Sequence, residues 1–329
     1  MSVLSGASIL VTGGCGSLGL AFVRHVLTHV DPGRVVIYSR DEFKHAETRS
    51  VLGEDRRVRF VQGDIRDRRR LTQAMAGVDH VVHAAALKRV DTAEYAPTEY
   101  VKTNIDGSRN VIEAAVENRV RSVVGVSTDK ASSPVNLYGA TKLVADKLFT
   151  STGATLAGES GTRFSVVRYG NFSGSRGSVV PLFRRLAAAG ESLPVTDKRM
   201  TRFWMSIEHA VTFLVDSFEL MAGGELFVPR IPSVRIMDLV EAIAPGAATH
   251  EVGPRPGERL HEEMISSDDS HRAFRLGDRY LVTSATRGAG RAPAPGWCPV
   301  PREFAYRSDS NDDWLSVGEL KAMLERSEG

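Results

Sequence analysis

A glycine-rich turn near the start of the chain lies between an apolar run and a helical pattern. Residues 7–12 are mostly apolar and predict a short buried strand, and residues 20–30 have the periodicity of a helix. Glycines at three-residue spacing let the backbone bend tightly and approach a pyrophosphate at the N-terminus of the helix. A strand, such a turn and a helix in this order predict the first unit of a dinucleotide-binding α/β fold. The predicted cofactor contacts in the turn are Gly13, Gly16, Ser17, Leu18 and Gly19.

Strand and helix patterns continue to alternate along the first half of the chain. The next predicted strands cover residues 34–38, 58–62, 79–84, 120–126 and 164–168. This alternation predicts a parallel sheet with helices on both faces, so the predicted fold class is α/β, a Rossmann-like doubly wound parallel sheet. The pattern is less regular later, which predicts a smaller C-terminal substrate-binding lobe. The predicted division is a Rossmann domain at 1–171, with a returning segment at about 205–232, and 172–329 mainly as the lobe.

The end of the second predicted strand indicates which dinucleotide is bound. The ribose is read about 20 residues after the glycine turn, where an acid selects a free 2′-hydroxyl. Ser39 and Arg40 stand there instead and suit a 2′-phosphate, and Lys44 adds a positive charge. The neighbouring Asp41 and Glu42 would favour NAD if either turned inward. The prediction is therefore NADP, with NAD as the alternative.

Two further strand ends complete the predicted cofactor site. An acid after the third strand of such folds commonly meets the adenine amino group, and small residues after the fourth let the cofactor pass close to the backbone. The residues concerned are Asp64, Ile65, Ala84, Ala85 and Ala86.

Tyr138 and Lys142 are predicted to form an acid–base pair. They lie four residues apart in a helical pattern that covers 138–148, so they share one helix face. A nearby ammonium favours the phenolate, which lets the tyrosine take a proton from a sugar or alcohol hydroxyl. Thr128, at the end of the preceding strand, would support the pair. The alternative is an accidental spacing of two common helix residues.

Composition excludes several other classes of function. The net charge of +2 gives no basis for nucleic-acid binding, and the nine histidines show no metal-ligand spacing. No apolar run reaches the ~18 residues of a membrane helix, and the N-terminus has no signal-peptide pattern. Cysteine occurs only at Cys15 and Cys298, which predicts a reducing, cytoplasmic location.

Together these features resemble the extended short-chain dehydrogenase/reductases that act on nucleotide sugars. Within that group, several motifs resemble the soluble inverting UDP-N-acetylglucosamine 4,6-dehydratases, the enzymes that begin pseudaminic acid and related capsule pathways. The motifs are YSRDE at 38–42, AAALK at 84–88, TDKA at 128–131, NLYGATK at 136–142, RYGN at 168–171, GSRGS at 174–178, MTRFW at 200–204 and RPGE at 255–258.

The resemblance implies a redox-neutral lyase in which the cofactor accepts a hydride from C4 of the sugar and returns it to C6. Tyr138, with Lys142 and Thr128, would remove the O4 proton. Lys130 would act as the base at C5 and Asp129 as the acid at C6. Burial and the charge of Lys142 are expected to lower the pKa of Lys130 and so keep it neutral. The alternative is that Asp129 and Lys130 merely pair with each other.

The position of the tyrosine favours inversion at C5. Retaining sugar dehydratases have a glutamate after the aspartate and a more distant tyrosine, and their membrane-attached relatives have a methionine in place of the tyrosine. The implied product is UDP-2-acetamido-2,6-dideoxy-beta-L-arabino-hex-4-ulose. A retaining dehydratase or a nucleotide-sugar epimerase remains the alternative, and a regulator without turnover ranks last because Tyr138 and Lys142 are both present.

The remaining predicted contacts concern the substrate and the assembly. Arg176 and Arg255 are candidates for a diphosphate clamp, because a guanidinium fork matches phosphate oxygens, although an isolated arginine more often forms a surface ion pair. Relatives form dimers and larger rings, so a homo-oligomer is expected. The full predicted substrate set is Lys88, Asn171, Arg176, Val179, Thr201, Arg202, Arg255 and Glu258. The residues that are also predicted to contact the cofactor are Lys88, Asn104, Tyr138 and Lys142.

Overall fold

A computed structural model describes residues 2–156, 161–173, 179–287 and 294–326. The strands, in chain order, are β1 (Ser8–Thr12), β2 (Arg34–Ser39), β3 (Val58–Gln62), β4 (His80–His83), β5 (Ser122–Thr128), β6 (Arg163–Tyr169), β7 (Asn171–Phe172), β8 (Leu193–Val195), β9 (Thr201–Met205), β10 (Glu225–Pro229), β11 (Ser233–Arg235), β12 (Thr249–Glu251), β13 (Glu263–Ile265), β14 (Ala273–Leu276), β15 (Arg279–Thr283), β16 (Cys298–Pro299) and β17 (Tyr306–Arg307).

The α-helices are α1 (Ser17–His29), α2 (Glu42–Leu52), α3 (Arg68–Ala74), α4 (Val90–Tyr95), α5 (Pro97–Tyr100), α6 (Gly107–Glu117), α7 (Leu137–Leu156), α8 (Val179–Ala188), α9 (Ile207–Leu220), α10 (Ile236–Ile243) and α11 (Val317–Arg326). A π-helix at Val101–Asp106 leads into α6, and a 3-10 turn at Asp129–Ala131 follows β5.

A ten-stranded sheet forms the centre of the molecule. Seven strands are parallel in the order β3-β2-β1-β4-β5-β6-β10, and β15, β14 and β16 continue it in antiparallel orientation. The chain moves outward in one direction through β2 and β3 and in the other through β4, β5 and β6. The strand order therefore reverses between β1 and β4, and this switch point is where ligands bind in open α/β sheets. The predicted α/β class with a doubly wound parallel sheet is confirmed.

The central strands are buried on both faces, which explains their continuous apolar runs. Val11, Val36, Val81 and Val124 from four neighbouring strands are at most 4% exposed. Helix α1 packs with α9, and α6 packs with both α3 and α7, so helices cover the sheet in two layers. These layers hold the carboxyl ends of the parallel strands at one edge.

The C-terminal part of the chain contributes to both the sheet and a separate group of short strands. The small sheets β11-β9-β7, β12-β8 and β13-β17 lie outside the main sheet. In contrast, β14, β15 and β16 extend the main sheet, although residues 172–329 were assigned mainly to the lobe. The sequence did not indicate these strands, because antiparallel edge strands lack the regular alternation with helices. The two-part division itself stays a prediction.

No helix among the described residues is long and apolar enough to cross a membrane. In the same part of the chain, no group of three or more acidic, histidine or cysteine side chains could hold a metal ion.

Candidate active site

A cleft of about 1130 Å³ opens at the carboxyl ends of β1, β2, β4, β5 and β6. Nearly all of the predicted site residues line this cleft. Those that line it are Gly13, Gly16, Ser17, Leu18, Gly19, Ser39, Arg40, Lys44, Asp64, Ile65, Ala84, Ala85, Ala86, Lys88, Thr128, Lys130, Tyr138, Lys142, Asn171, Val179, Arg202, Arg255 and Glu258.

Four predicted residues are not part of this wall. Arg176 lies outside the described residues. Asn104 is buried, and its amide holds the Leu87 backbone and donates to Thr141 Oγ1, so it supports the loop after β4 instead of reaching the cleft. Thr201 is also buried. Its hydroxyl bonds to His261 Nδ1 at 2.9 Å and to Ser308 Oγ at 2.7 Å.

The fourth residue, Asp129, is buried directly behind the wall and contacts Lys130. Polar residues satisfied inside the protein and polar residues that face a ligand have the same appearance in a sequence. The structure does not place Asn104 and Thr201 in the cleft wall, and their direct contact with cofactor or substrate stays a prediction.

The glycine turn has the shape that a pyrophosphate requires. Gly13 has φ of 69°, and a Cβ there would lie 2.8 Å from the Ala85 backbone nitrogen. A Cβ at Gly19 would lie 2.5 Å from the Gly13 carbonyl oxygen. Helix α1 begins beside this turn, and its N-cap residue, Gly16, has no side chain that occupies the first amide groups. The turn therefore fits a dinucleotide, with the N-terminus of α1 as the anion site.

The end of β2 carries charges of both signs. Arg40 and Lys44 are half-exposed cations in the cleft wall. The Asp41 carboxylate accepts from the Lys44 amide at 3.1 Å and so caps α2. Asp64 is bound by Arg66 at 2.7 Å and lies 3.8 Å from Arg40. Asp41 and Asp64 therefore both have partners within the protein. The cationic groups of Arg40 and Lys44 contribute to the cleft wall.

Tyr138 stands at the start of α7, above the end of β5. The Thr128 side chain acts to lower the pKa of the Tyr138 phenol, and the Thr128 hydroxyl donates to Asp129 Oδ1 at 2.8 Å. One helical turn later, Lys142 Nζ donates to the Val126 carbonyl oxygen at 2.8 Å. The structure thus brings together the three residues that the sequence grouped, because the helix begins immediately beyond the strand end.

The protonation of Tyr138 and Lys142 differs from the expected pattern. Burial raises the pKa of Tyr138 to about 12, against the opposing effects of Lys130 and Thr128. Burial also lowers the pKa of Lys142, which Asp146 partly offsets. The predicted lowering of the Tyr138 pKa is therefore wrong. The ammonium that acts to lower the pKa of the phenol is that of Lys130, not that of Lys142.

A buried group of four charges lies beside the tyrosine. Lys130 Nζ is 3.0 Å from Asp129 Oδ1 and 3.2 Å from Glu262 Oε1. Arg202 Nε is 3.6 Å from the same Glu262 oxygen. Asp129 is 1% exposed and Glu262 3% exposed. We call these four residues the charge cluster; it contains two cations and two carboxylates.

Lys130 is held in its charged form. Burial by itself would lower its pKa, but the carboxylates of Asp129 and Glu262 outweigh burial and the pKa lies above its ordinary value. The expected lowering of the Lys130 pKa is therefore wrong, and the pairing of Asp129 with Lys130, first regarded as the alternative, is present. Burial raises the pKa of Asp129, with a further contribution from Glu262 against the attraction of Lys130. For Glu262, burial is outweighed by Lys130 and Arg202, and its pKa is lowered.

A smaller pocket of about 280 Å³ adjoins the cleft at Lys130 and is lined by Glu262, Arg202 and Asn136 among others. Asn136 joins α7 to the later chain: its Oδ1 accepts from the Gly139 amide at 2.7 Å, and its Nδ2 donates to the Gly257 carbonyl at 2.8 Å. The loops of the C-terminal half therefore complete the site around the start of α7.

Sequence reasoning missed Glu262. The residue lies far along the chain from Lys130 and joins it only through tertiary structure. The available signal was its position four residues after Glu258, the last residue of the RPGE motif.

The Arg255 side chain is exposed in the cleft wall and has no ion-pair partner among the described residues. Its role as one half of a diphosphate clamp stays a prediction.

Comparisons with known proteins agree with this geometry. A model of a family described as polysaccharide biosynthesis protein matches residues 9–284. A UDP-N-acetylglucosamine 4,6-dehydratase (inverting) from Campylobacter jejuni is 47% identical over 99% of this chain and 100% of its own length. An X-ray structure of Pen from Bacillus thuringiensis superposes with a TM-score of 0.91 at 35% identity and covers 99% of both chains.

A second solved structure is that of DesIV, a dTDP-glucose 4,6-dehydratase from Streptomyces venezuelae with NAD and TYD bound. It gives a TM-score of 0.68 at 26% identity over 77% of this chain and 86% of its own. The match of the family model and the full-length relative therefore establish that this chain belongs to the polysaccharide biosynthesis family, among the inverting UDP-N-acetylglucosamine 4,6-dehydratases.

Proposed function

We propose that this protein catalyses the NADP-dependent 4,6-dehydration of UDP-N-acetylglucosamine with inversion at C5. The product would be UDP-2-acetamido-2,6-dideoxy-beta-L-arabino-hex-4-ulose. The observation that carries the proposal is the Asp129–Lys130 contact of 3.0 Å beside the phenol of Tyr138. A simple dehydrogenase or epimerase needs the tyrosine and the lysine of its helix, whereas a dehydratase needs an additional base and an additional acid.

Three side chains divide the proton transfers among them. Tyr138, whose ionisation is favoured by the Lys130 ammonium and opposed by burial, accepts the proton of the O4 hydroxyl once it is ionised. The bound nicotinamide supplies a reversible hydride acceptor for the sugar. Once C4 is a ketone the C5 proton is acidic, and Lys130 as a neutral amine removes it. Asp129 as a carboxylic acid protonates the C6 hydroxyl, which leaves as water.

The charge cluster can produce both reactive forms without an external proton. At rest, Lys130 is an ammonium and Asp129 a carboxylate, and the two share one proton across 3.0 Å. Movement of that proton from Nζ to Oδ1 gives a neutral amine and a carboxylic acid. A nucleotide sugar that covers the pair removes water from it, and loss of hydration disfavours the charged forms. Elimination then regenerates the ion pair, because Lys130 gains a proton and Asp129 loses one. The resulting C5–C6 unsaturated ketone becomes the product when the hydride taken from C4 is returned to C6 and Lys130 or Tyr138 gives a proton to C5 on the opposite face.

The cofactor choice rests on the end of β2. Arg40 and Lys44 contribute cations to the wall where the adenosine ribose is expected, and Asp41 is already engaged in capping α2. This arrangement favours a 2′-phosphate, and hence NADP over NAD. A cytoplasmic location and a homo-oligomer belong to the proposal as predictions, the first from two cysteines that are both unpaired.

Proton NMR of the enzyme with UDP-N-acetylglucosamine in deuterated water tests the function. We expect a new C6 methyl signal, deuterium at C5 and the ring couplings of the L-arabino ketone. Couplings of the D-xylo ketone would show a retaining dehydratase. Changed ring couplings without a methyl signal would show an epimerase, and an unchanged spectrum would reject the substrate.

The variant Asp129→Asn separates dehydratase from epimerase within the same assay. An epimerase does not use this carboxyl group and should keep its activity. A dehydratase should lose the methyl product, because the amide cannot protonate the departing C6 hydroxyl.

A further inference from the structure

Glu262 is a charged residue of the site that the acid–base scheme leaves without a role. It lies immediately before β13, and its carboxylate is 3% exposed. A buried carboxylate is costly unless it is paired, so its position calls for an explanation. The explanation lies in the groups it touches: Lys130 at 3.2 Å and Arg202 at 3.6 Å, both through Oε1.

The two oxygens of Glu262 have different surroundings. Oε1 takes both cations, whereas Oε2 has no hydrogen-bond partner among the described residues. A residue present only for stability would be expected to satisfy both oxygens. Glu262 also lines the smaller pocket beside Lys130. The Glu262 carboxylate thus lies next to the Lys130 amine, the group that must gain and lose a proton.

We propose that Glu262 is a positioning residue of the acid–base pair, which holds the Lys130 amino group between two carboxylates and sets the pH at which it accepts the C5 proton. The inference rests on the proposed dehydration. It assigns Glu262 no contact with the substrate and no proton of its own; its charge acts through Lys130 and, by repulsion, on Asp129.

The sign of the effect follows from the charges that face Lys130. These are Asp129 from the turn after β5, Glu262, Arg202 from β9 and the Tyr138 phenol from α7. The Glu262 carboxylate stabilises the ammonium and also opposes ionisation of Asp129. Removal of its charge should therefore lower the pH at which Lys130 becomes a neutral amine. It should also lower the pH at which Asp129 loses its proton and can no longer act as the acid.

The test compares the pH dependence of turnover in wild-type enzyme and in Glu262→Gln, which keeps the shape and removes the charge. C5-deuterated substrate identifies the pH range in which C5 proton removal limits the rate. We expect both limbs of the bell-shaped kcat profile to move to lower pH by about one to two units, the size of effect that a charge at this distance produces.

The neighbouring residue provides a matched control. Glu263 Oε1 accepts from the hydroxyls of Ser132 and Ser133, in the loop after the 3-10 turn at Asp129–Ala131, and does not contact Lys130. Glu263→Gln makes the same chemical change one residue away, and its profile should keep the wild-type pH values. If the profile of Glu263→Gln shifted as far as that of Glu262→Gln, the shift would come from the loss of any nearby negative charge, and the proposal would be overturned.

A second variant covers the case in which Glu262→Gln does not fold. Glu262→Asp keeps the charge but withdraws it from Nζ by one methylene, and its profile should lie between wild type and Glu262→Gln. Wild-type pH values in whichever variants fold would overturn the inference, even with a reduced rate. Absence of the methyl product from wild-type enzyme would instead reject the proposed function.

Discussion

Lys142 and Lys130 line the same cleft, and both side chains are largely withdrawn from water. Around Lys142 the ammonium finds a neutral acceptor, the Val126 carbonyl, and burial lowers its pKa. Around Lys130 the ammonium lies between two carboxylates, and its pKa is raised although burial acts against it. Burial therefore does not decide which lysine is ready to lose a proton; the charges within about 4 Å of it do.

The same contrast extends to the neighbouring groups. Behind Lys142, His83 is fully buried between the hydroxyls of Thr12 and Ser108, and burial lowers its pKa to about 3, with a smaller effect from Lys142. On the other side, burial and Glu262 raise the pKa of Asp129. The pKa values of Lys142 and His83 are thus lowered, whereas those of Lys130 and Asp129 are raised.

Tyr138→Phe should have the largest effect on activity, because the first proton transfer of the proposed reaction requires the phenol. The variant cannot accept the O4 proton, so turnover should fall by about 10²- to 10⁴-fold. Cofactor binding should persist, since the glycine turn is unchanged. Methyl product by NMR and cofactor affinity by fluorescence titration measure the two properties. Turnover near that of the wild type would mean that another group removes this proton.

Lys130→Met and Lys142→Met compare the two regions directly by stability. Loss of Lys130 leaves the buried carboxylates of Asp129 and Glu262 without their shared cation, which should cost on the order of 3 kcal/mol of unfolding free energy. Loss of Lys142 removes one hydrogen bond to a carbonyl and the burial of one charge, so about 1 kcal/mol or less is expected.

Urea unfolding measures both free energies, and Lys130→Met should also stop after oxidation, with a 4-keto sugar retained. Equal costs for the two substitutions would show that the carboxylates are stabilised by something other than Lys130.

The pH dependence of stability should report the region around Lys142. The folded-state pKa of His83, about 3, lies below its unfolded value of about 6.5. Between these values the unfolded chain binds the additional proton, so this residue destabilises the protein as pH falls from about 6 to about 4.

The expected slope from His83 is about 1.4 kcal/mol per pH unit. Chemical unfolding of wild type and His83→Gln at several pH values should show that slope reduced by this amount in the variant. An unchanged slope would assign the acid sensitivity to other groups.

The sequence was informative where structure is local. The turn at Gly13, the strand end at Thr128 and the helix that carries Tyr138 and Lys142 are continuous in the chain, and their spacing is a direct consequence of strand and helix geometry. The sequence was misleading where protonation depends on tertiary contacts. Glu262 joins Lys130 from a distant segment, so the sign of the lysine's pKa shift could not be predicted without it.

Arg40→Gln should have the smallest effect, because Arg40 lies at the end of β2, away from both lysines. Affinity for NADP should fall by about tenfold, the value of one charge-assisted contact, and affinity for NAD should remain unchanged. Arg49→Gln is the control for net charge, since Arg49 stacks on Phe60 and is not part of the cleft wall. Calorimetric titration with both cofactors measures the difference.

An equal loss of affinity for NAD and NADP would mean that Arg40 contacts a part common to both, and the preference for NADP would lose its main support. The kcat profile of Arg40→Gln at saturating cofactor carries further information. It should keep the wild-type pH values, because the contrast between the two lysines depends on charges in contact with them. A shifted profile would show that charge elsewhere in the cleft also sets their protonation, and the comparison would then have to include the whole wall.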